Sequence, residues 1–290
     1  MIRYHSAAEL ARQAGGQNIS DLVLADQAAQ AERPRDELYR EMRERFLVMK
    51  QSVADGVAEN LRSASGLSGG GAWKLQKALD EGRTLCGPMF GSALVKALAV
   101  SELNACMGRI VAAPTAGSCG ILPAAVLSLM EARDIPEEKA VMSLFTASGI
   151  GMVIANNASI SGAEGGCQAE CGSASAMAAA ALVEMCGGTP DMVCHAVAIA
   201  LKNVLGLVCD PVAGLVEVPC VKRNAAGVSN AFTAAELALA GIESTIPADE
   251  VILAMKRVGD AMSGSLKETA EGGLAATPTA VAIRQKIFGQ

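Results

Sequence analysis

Nine cysteines dominate the reactive side chains of this 290-residue sequence, which carries only 2 histidines. Thiolates are soft metal ligands and nucleophiles, so the context of each cysteine decides what chemistry is open to it. Cys167 lies in GAEGGCQAE, Cys209 in GLVCDPVAG and Cys220 in VEVPCVKRN. Glycine or proline near each turns the backbone and leaves the sulfur accessible, unlike a thiol that fills a helix core. By residue type alone this trio is a candidate metal site, with packing as the other reading. Cys167 and Cys171 resemble the start of a radical-type cluster motif, but Ala174 stands where that pattern needs its third cysteine. The close cysteine pairs in sets of four that mark zinc ribbons and ferredoxins are absent.

Two other motifs invite chemistry and carry little of it. Gly66–Gly71 leads toward Lys74 like a phosphate loop, yet such a loop needs lysine directly after its last glycine, and Ala72 and Trp73 follow instead. That stretch reads as a linker. His5 sits near the start, and His195 falls in an apolar helical pattern that suits a satisfied core histidine, so a Ser-His-Asp triad has no support.

The elements that must position the cysteines are helical by composition. Aromatic residues are 3% of the sequence while alanine, glycine and methionine abound, which favours close-packed helices over a β-sandwich. The expected class is mostly α, a helical domain whose loops carry the reactive residues. The series Leu38, Met42, Phe46, Met49, Val53, Val57, Leu61 predicts one continuous helix after Pro34, ending in the Ser/Gly-rich run from Ser63 to Gly71. That run divides an N-terminal helical arm (1–65) from the main body (66–290), the two forming one continuous unit. Pro136 before Glu137 and Glu138, Thr189-Pro190-Asp191, and Pro247 before Asp249 and Glu250 each predict a helix start, with acids at the positive end of the helix dipole. Alternating strand patterns are scarce, which argues against a parallel-sheet nucleotide domain.

Composition also removes function classes. Hydrophobic residues make up 51% and charged residues 19%, which excludes disorder. A net charge of −6 without a dense basic run argues against a nucleic-acid partner. The uncharged stretch from Ala140 to Ala163 is long enough for a membrane span, but its polar second half predicts a buried helix running into a loop. With no apolar leader between Met1 and Leu10, the expectation is a cytoplasmic protein with reduced thiols and no membrane association.

Four longer strings carry a family resemblance: APTAGSCGILPA (113–124), NNASISGAEGGCQAE (156–170), LGLVCDPVAGLVEVPCVKRN (205–224) and GGLAATPTA (272–280). They closely resemble, in order and cysteine spacing, the α chain of the iron-sulfur-dependent L-serine dehydratases, also called L-serine ammonia-lyases. The resemblance runs over most of the sequence. It implies a helical fold and a PLP-independent lyase of amino-acid degradation and gluconeogenesis that converts L-serine to pyruvate and ammonia. It places three ligands of a 4Fe-4S cluster on Cys167, Cys209 and Cys220, with Cys119 and Cys171 as packing residues. It also implies a separate β chain, and the apolar composition adds that the isolated chain forms a homo-oligomer or exposes an apolar face.

The polar loops offer the substrate pocket. Thr115, Gly117, Ser118 and Gly120, before a helix expected from Ile121, suit a carboxylate; Asn157, Ser159 and Ser161 suit the amine and hydroxyl. Plain loop and cap roles are the other reading of these residues. Glu164 is the candidate base, or equally an outer partner of the cluster. Lys222 and Arg223, directly after Cys220, either balance an anionic cluster or form a solvated pair. A related lyase releasing sulfide from L-cysteine and a non-catalytic iron-sulfur subunit are the alternatives.

Overall fold

Small side chains and proline-marked starts set the architecture. The computed structural model describes residues 4–289; residues 1–3 and 290, which enter the reading of the two ends, lie outside the described residues. The helices are α1 (Ala7–Ala14), α2 (Ile19–Ala31), α3 (Arg35–Gly56), α4 (Gly71–Asp80), α5 (Gly87–Ala105), α6 (Ile121–Ala132) and α7 (Glu137–Asn157). They continue with α8 (Gly162–Gly165), α9 (Cys167–Met185), α10 (Pro190–Lys202), α11 (Cys220–Leu239), α12 (Ala248–Ala261) and α13 (Pro278–Phe288). No strand occurs among the described residues; one isolated parallel bridge pairs Cys209 with Lys267. The mostly α expectation holds.

α9 is the axis of the molecule. Its sequence CQAECGSASAMAAAALVEM is buried at every position but Glu170, as expected of a helix that is apolar all round. Alanine at positions 178–181 lets α7, α10, α11 and α6 close around it. Tyr4, Leu10, Ile19 and Val23 from the N-terminal segment belong to the same continuous core.

The three expected helix starts are present. Pro190 occupies the first turn of α10, where the Thr189 hydroxyl accepts from Met192 N; Pro136 and Pro247 sit one position earlier, as the N-caps of α7 and α12. Asp249 in the first turn of α12 also accepts from Ala7 N at 2.6 Å and Ala8 N at 3.1 Å, which ties α1 to the body. The Ala140–Ala163 stretch is the buried α7 followed by a loop, as read. By length and composition α7 could cross a membrane, but 61% of its most apolar window is buried within the protein.

One helix is shorter than its pattern. The apolar series predicts helix to Leu61, whereas α3 ends at Gly56. The cause is tertiary: a Cβ at Gly56 would lie 2.1 Å from Ala99 O, so this turn packs backbone to backbone on α5, and the chain leaves the helix there. The Ser/Gly run that follows is held by Glu217, which accepts from Ser63 Oγ at 2.6 Å and Ser65 Oγ at 2.7 Å. Its end is no anion site, because the buried Glu102 already accepts from Gly71 N at 3.0 Å and Ala72 N at 3.1 Å at the start of α4. His195 likewise has a structural partner, accepting from Ser244 N at 3.1 Å.

Candidate metal centre and its surroundings

Two of the three cysteines singled out by their context open helices. Cys167 is the first residue of α9 and Cys220 the first of α11, where the helix dipole favours a thiolate. Gly166 makes the entry to α9 possible: its φ is 76°, and a Cβ there would lie 2.7 Å from Met262 Sδ and 2.9 Å from Leu207 O. Gln168, fully buried, then locks the entry. Its amide donates to Gly165 O at 2.9 Å and Met255 O at 3.0 Å, and its oxygen accepts from Gly206 N at 2.9 Å. Cys209 lies in an extended segment, its N–H donating to Leu266 O and its carbonyl accepting from Glu268 N, both at 2.8 Å.

These segments bring the sulfurs to one buried region. Cys167, Cys209 and Cys220 are 1%, 3% and 5% exposed, and none forms a disulfide. The charge of Cys167 raises the pKa of both other thiols, which places the three in mutual electrostatic reach. On α9, Cys167, Glu170 and Cys171 share one helix face by their spacing of three and four residues. Their ligand atoms lie within 4.8 Å of one another, with the two sulfurs 3.3 Å apart. Cys171, expected to be a packing residue, thus shares with Cys167 and Glu170 a group that could hold a metal ion. Cys119 does pack: it is fully buried and its thiol points to Val100 O at 3.9 Å.

Carboxylates and one cation surround the thiols. A Cβ at Gly162 would lie 3.0 Å from Cys209 Sγ, 3.4 Å from Glu268 Oε2 and 3.5 Å from Glu170 Oε2, so glycine there keeps the space between α8 and these side chains open. Arg223 donates to Asp210 at 2.8 Å and to Val208 O at 2.8 Å, in a pair whose side chains are 15% and 4% exposed. It also reaches the Cys167 thiol. Of the two sequence readings of Arg223, the solvated surface pair is thereby replaced by a buried ion pair at the cysteines. Burial, followed by the Cys167 charge, pushes the Cys220 thiol up to about 12 and that of Cys209 higher still. Cys167 is held below the ordinary thiol value by the hydrogen bond it shares with Cys171 and by Arg223. Burial, with the Glu268 charge adding to it, raises Glu170. Burial thus disfavours free thiolates at Cys209 and Cys220 but suits a cationic centre, because coordination deprotonates a thiol and offsets the buried charge.

The residues expected to bind substrate fall into three groups. The loop before α6 joins the cysteine region: the Thr115 hydroxyl donates to Glu170 and lies 2.9 Å from Ser118 Oγ, and a Cβ at Gly117 would meet Glu170 Oε1 at 2.5 Å. Asn224, buried on α11, donates to Gly117 O at 2.7 Å and Cys220 O at 3.0 Å while accepting from Gly120 N at 2.9 Å. Ser159, Ser161 and Glu164 form a second group. Ser159 Oγ donates to Glu164 at 2.6 Å and accepts from Ser161 N at 3.1 Å. Ser159 and Glu164 line a cavity of about 360 Å³ with Met255, Lys256, Asp260 and Lys267. Asn157 stands apart, its amide donating to Val153 O and His5 O at 2.8 Å each.

Sequence reasoning missed Glu170, Glu268, Asp210 and Asn224. Glu170 and Cys171 were within reach, since a helix starting at Cys167 puts both on its sulfur's face. Glu268 comes from a distant segment with no local signal.

Comparison with known proteins places the chain in context. Residues 14–275 match the family model for the serine dehydratase alpha chain. The chain is 54% identical over 271 residues to the probable L-serine dehydratase alpha chain of Bacillus subtilis, covering 93% of this chain and 90% of that protein. It is 46% identical to the L-serine dehydratase alpha chain of Peptoniphilus asaccharolyticus over 94% of each. With the L-serine dehydratase of Streptomyces coelicolor it shares 42% identity over 92% of this chain but only 58% of that protein.

Proposed function

The chain belongs to the serine dehydratase alpha-chain family, and from that premise we propose that it is the catalytic chain of a lyase that converts L-serine to pyruvate and ammonia through a 4Fe-4S cluster. The observation that supports this reading is a set of three buried, unbridged thiols, from α9, the 209 segment and α11, within electrostatic reach of one another, with the Arg223 guanidinium at Cys167. A soft, all-thiol set of this kind fits an iron-sulfur centre. Cys167, Cys209 and Cys220 are the proposed ligands, and Cys171, Glu170 and Glu268 border the same space. When bound, such a cluster would supply Lewis-acid chemistry for loss of the C3 hydroxyl.

The chain's own residues do the rest. Arg223, aligned by Asp210, offsets the negative charge of the thiolates. Thr115, Gly117, Ser118 and Gly120 form a wall of the substrate site that orients Glu170, while Ser159 and Ser161 shape the wall next to α8. Asn157 enters only through the turn that it anchors. Glu164 is the proposed acceptor of the C2 proton, its Oε2 steadied by Ser159. Loss of that proton and of the C3 hydroxide, together one water, leaves an enamine, which tautomerises to an imine that water hydrolyses to pyruvate and ammonia. No Schiff-base lysine is invoked, and so no pyridoxal phosphate.

The partners proposed are L-serine and a β chain, in the cytoplasm, without nucleic acid or membrane. The β chain is supported by the alpha-chain names of the relatives matched nearly end to end, against the longer Streptomyces protein. The relatives' names favour neither desulfidation of L-cysteine nor a non-catalytic role. The test is inactivation in air: iron and reductant should restore pyruvate release and pyridoxal phosphate should not. Loss of activity to carbonyl reagents, with resistance to iron chelators, would overturn the cofactor assignment.

A further inference from the structure

The cavity beside α8 contains a charge that nothing above uses. Lys256 is paired with Asp260, its Nζ 3.0 Å from both carboxylate oxygens, and Glu164 accepts from Ser159. The Lys267 side chain makes no hydrogen bond or ion pair among the described residues, although it is half-buried and lines the same cavity. Two cations and two carboxylates make these walls neutral in sum, which suits a zwitterion better than an anion or a cation. At about 360 Å³ the space lies near the small end of ligand sites, about 300–1,000 Å³.

The backbone ties this lysine to the cysteines. Lys267 stands opposite Cys209 in the isolated parallel bridge, with Cys209 N donating to Leu266 O and Glu268 N donating to Cys209 O. The bridge thus fixes the Lys267 backbone to the segment that carries Cys209. The turn that follows holds Glu268 at φ 65° and Ala270 at φ 58°. Non-glycine residues rarely adopt that left-handed region, and strain of this kind persists where surrounding structure enforces it.

The loop before α6 lacks such a charge. It offers hydroxyls and N–H groups, and several are already committed: Gly120 N to Asn224, Thr115 to Glu170, and Ser118 is fully buried. We propose that Lys267 is the residue that binds the α-carboxylate of the amino-acid substrate. This rests on the serine dehydratase reading and names the charge contact that reading lacks. It makes Lys267 a specificity residue, since a substrate without a carboxylate would leave the ammonium unpaired in the cavity.

The test uses the full chain, with its β chain where activity needs it, as wild type, Lys267→Met and Lys267→Arg. L-Serine binding is followed by calorimetry on the protein under anaerobic conditions, and KM and kcat by pyruvate release. Lys267→Met should weaken serine binding and raise KM by about ten- to a hundred-fold, with a smaller change in kcat. Lys267→Arg should recover part of the loss, and the visible spectrum should stay as in wild type, which separates a binding defect from a lost cluster or fold. Wild-type affinity in Lys267→Met, or no serine binding by wild type, would overturn the assignment. Wild-type binding that depends on Lys267 but yields no pyruvate would contradict the proposed activity while leaving the carboxylate site in place.

Discussion

A thiol in this molecule is worth what its neighbours make of it. Cys167, Cys209 and Cys220 are close enough for the charge of one to act on the others, whereas the buried Cys119 thiol has only a distant carbonyl. Anaerobic protein is expected to hold about four irons per chain and to show a broad visible charge-transfer band. Serine at position 167, 209 or 220 should abolish both, and Cys119→Ala should keep both at a stability cost of about 1 kcal/mol; full iron retention by Cys209→Ser would refute the ligand set. Cys119 permits a second, metal-independent check. Burial holds its thiol up to about 12 against an ordinary value of 9.0, so the unfolded chain releases that proton first as pH rises. Its contribution is intact below the unfolded value and falls above it, by up to about 1.4 kcal/mol per pH unit. Thermal melts between about pH 8 and about pH 10.5 should therefore decline less steeply for Cys119→Ala than for wild type. Parallel declines would mean that this thiol does not control alkaline stability. Glycine and proline near Cys167, Cys209 and Cys220 marked where the backbone turns, but the sulfurs, expected to be accessible, are buried by tertiary packing. Glu268 was not legible in the sequence, since its nearness to the sulfurs is created by tertiary contacts, and Asp210, although it adjoins Cys209, takes its role from a tertiary pairing with Arg223.

At the scale of elements, local chemistry announced where helices begin better than where they end. Pro136, Pro190 and Pro247 each stand at or next to a helix start, because proline's fixed φ and missing N–H suit those positions in any context. The end of α3 was illegible because the apolar series carries on past Gly56, and only the close approach of α5 shows why the helix stops. α4 depends on a partner equally invisible locally: Glu102, on α5, receives the first two N–H groups of the helix. Glu102→Ala leaves those donors without an acceptor in a part-buried position and should cost about 1–3 kcal/mol in denaturant melts. Glu102→Gln, which keeps one carbonyl oxygen, should cost less. Equal losses in both variants would show that the charge, and not the acceptor, holds α4.

The whole molecule is a core of alanine-rich helices around α9, with the cysteine region and the α8 cavity set where α9 and α11 begin. Its surface carries large apolar side chains in several places, among them Leu85, Met107, Ile242 and Phe288. Such surface is commonly covered in an assembly, and we expect the isolated chain to self-associate in size-exclusion chromatography and to turn serine over poorly until a β chain is added. A monomer fully active alone would show that no β chain is needed. The central claim, an iron-sulfur lyase acting on L-serine, is tested most directly by measuring pyruvate from L-serine with the anaerobically iron-loaded chain and its β chain, wild type beside Cys209→Ser. Pyruvate and ammonia in equal amounts from wild type, with none from Cys209→Ser, is the expected result. Pyruvate formation that survives in Cys209→Ser protein stripped of iron would contradict it.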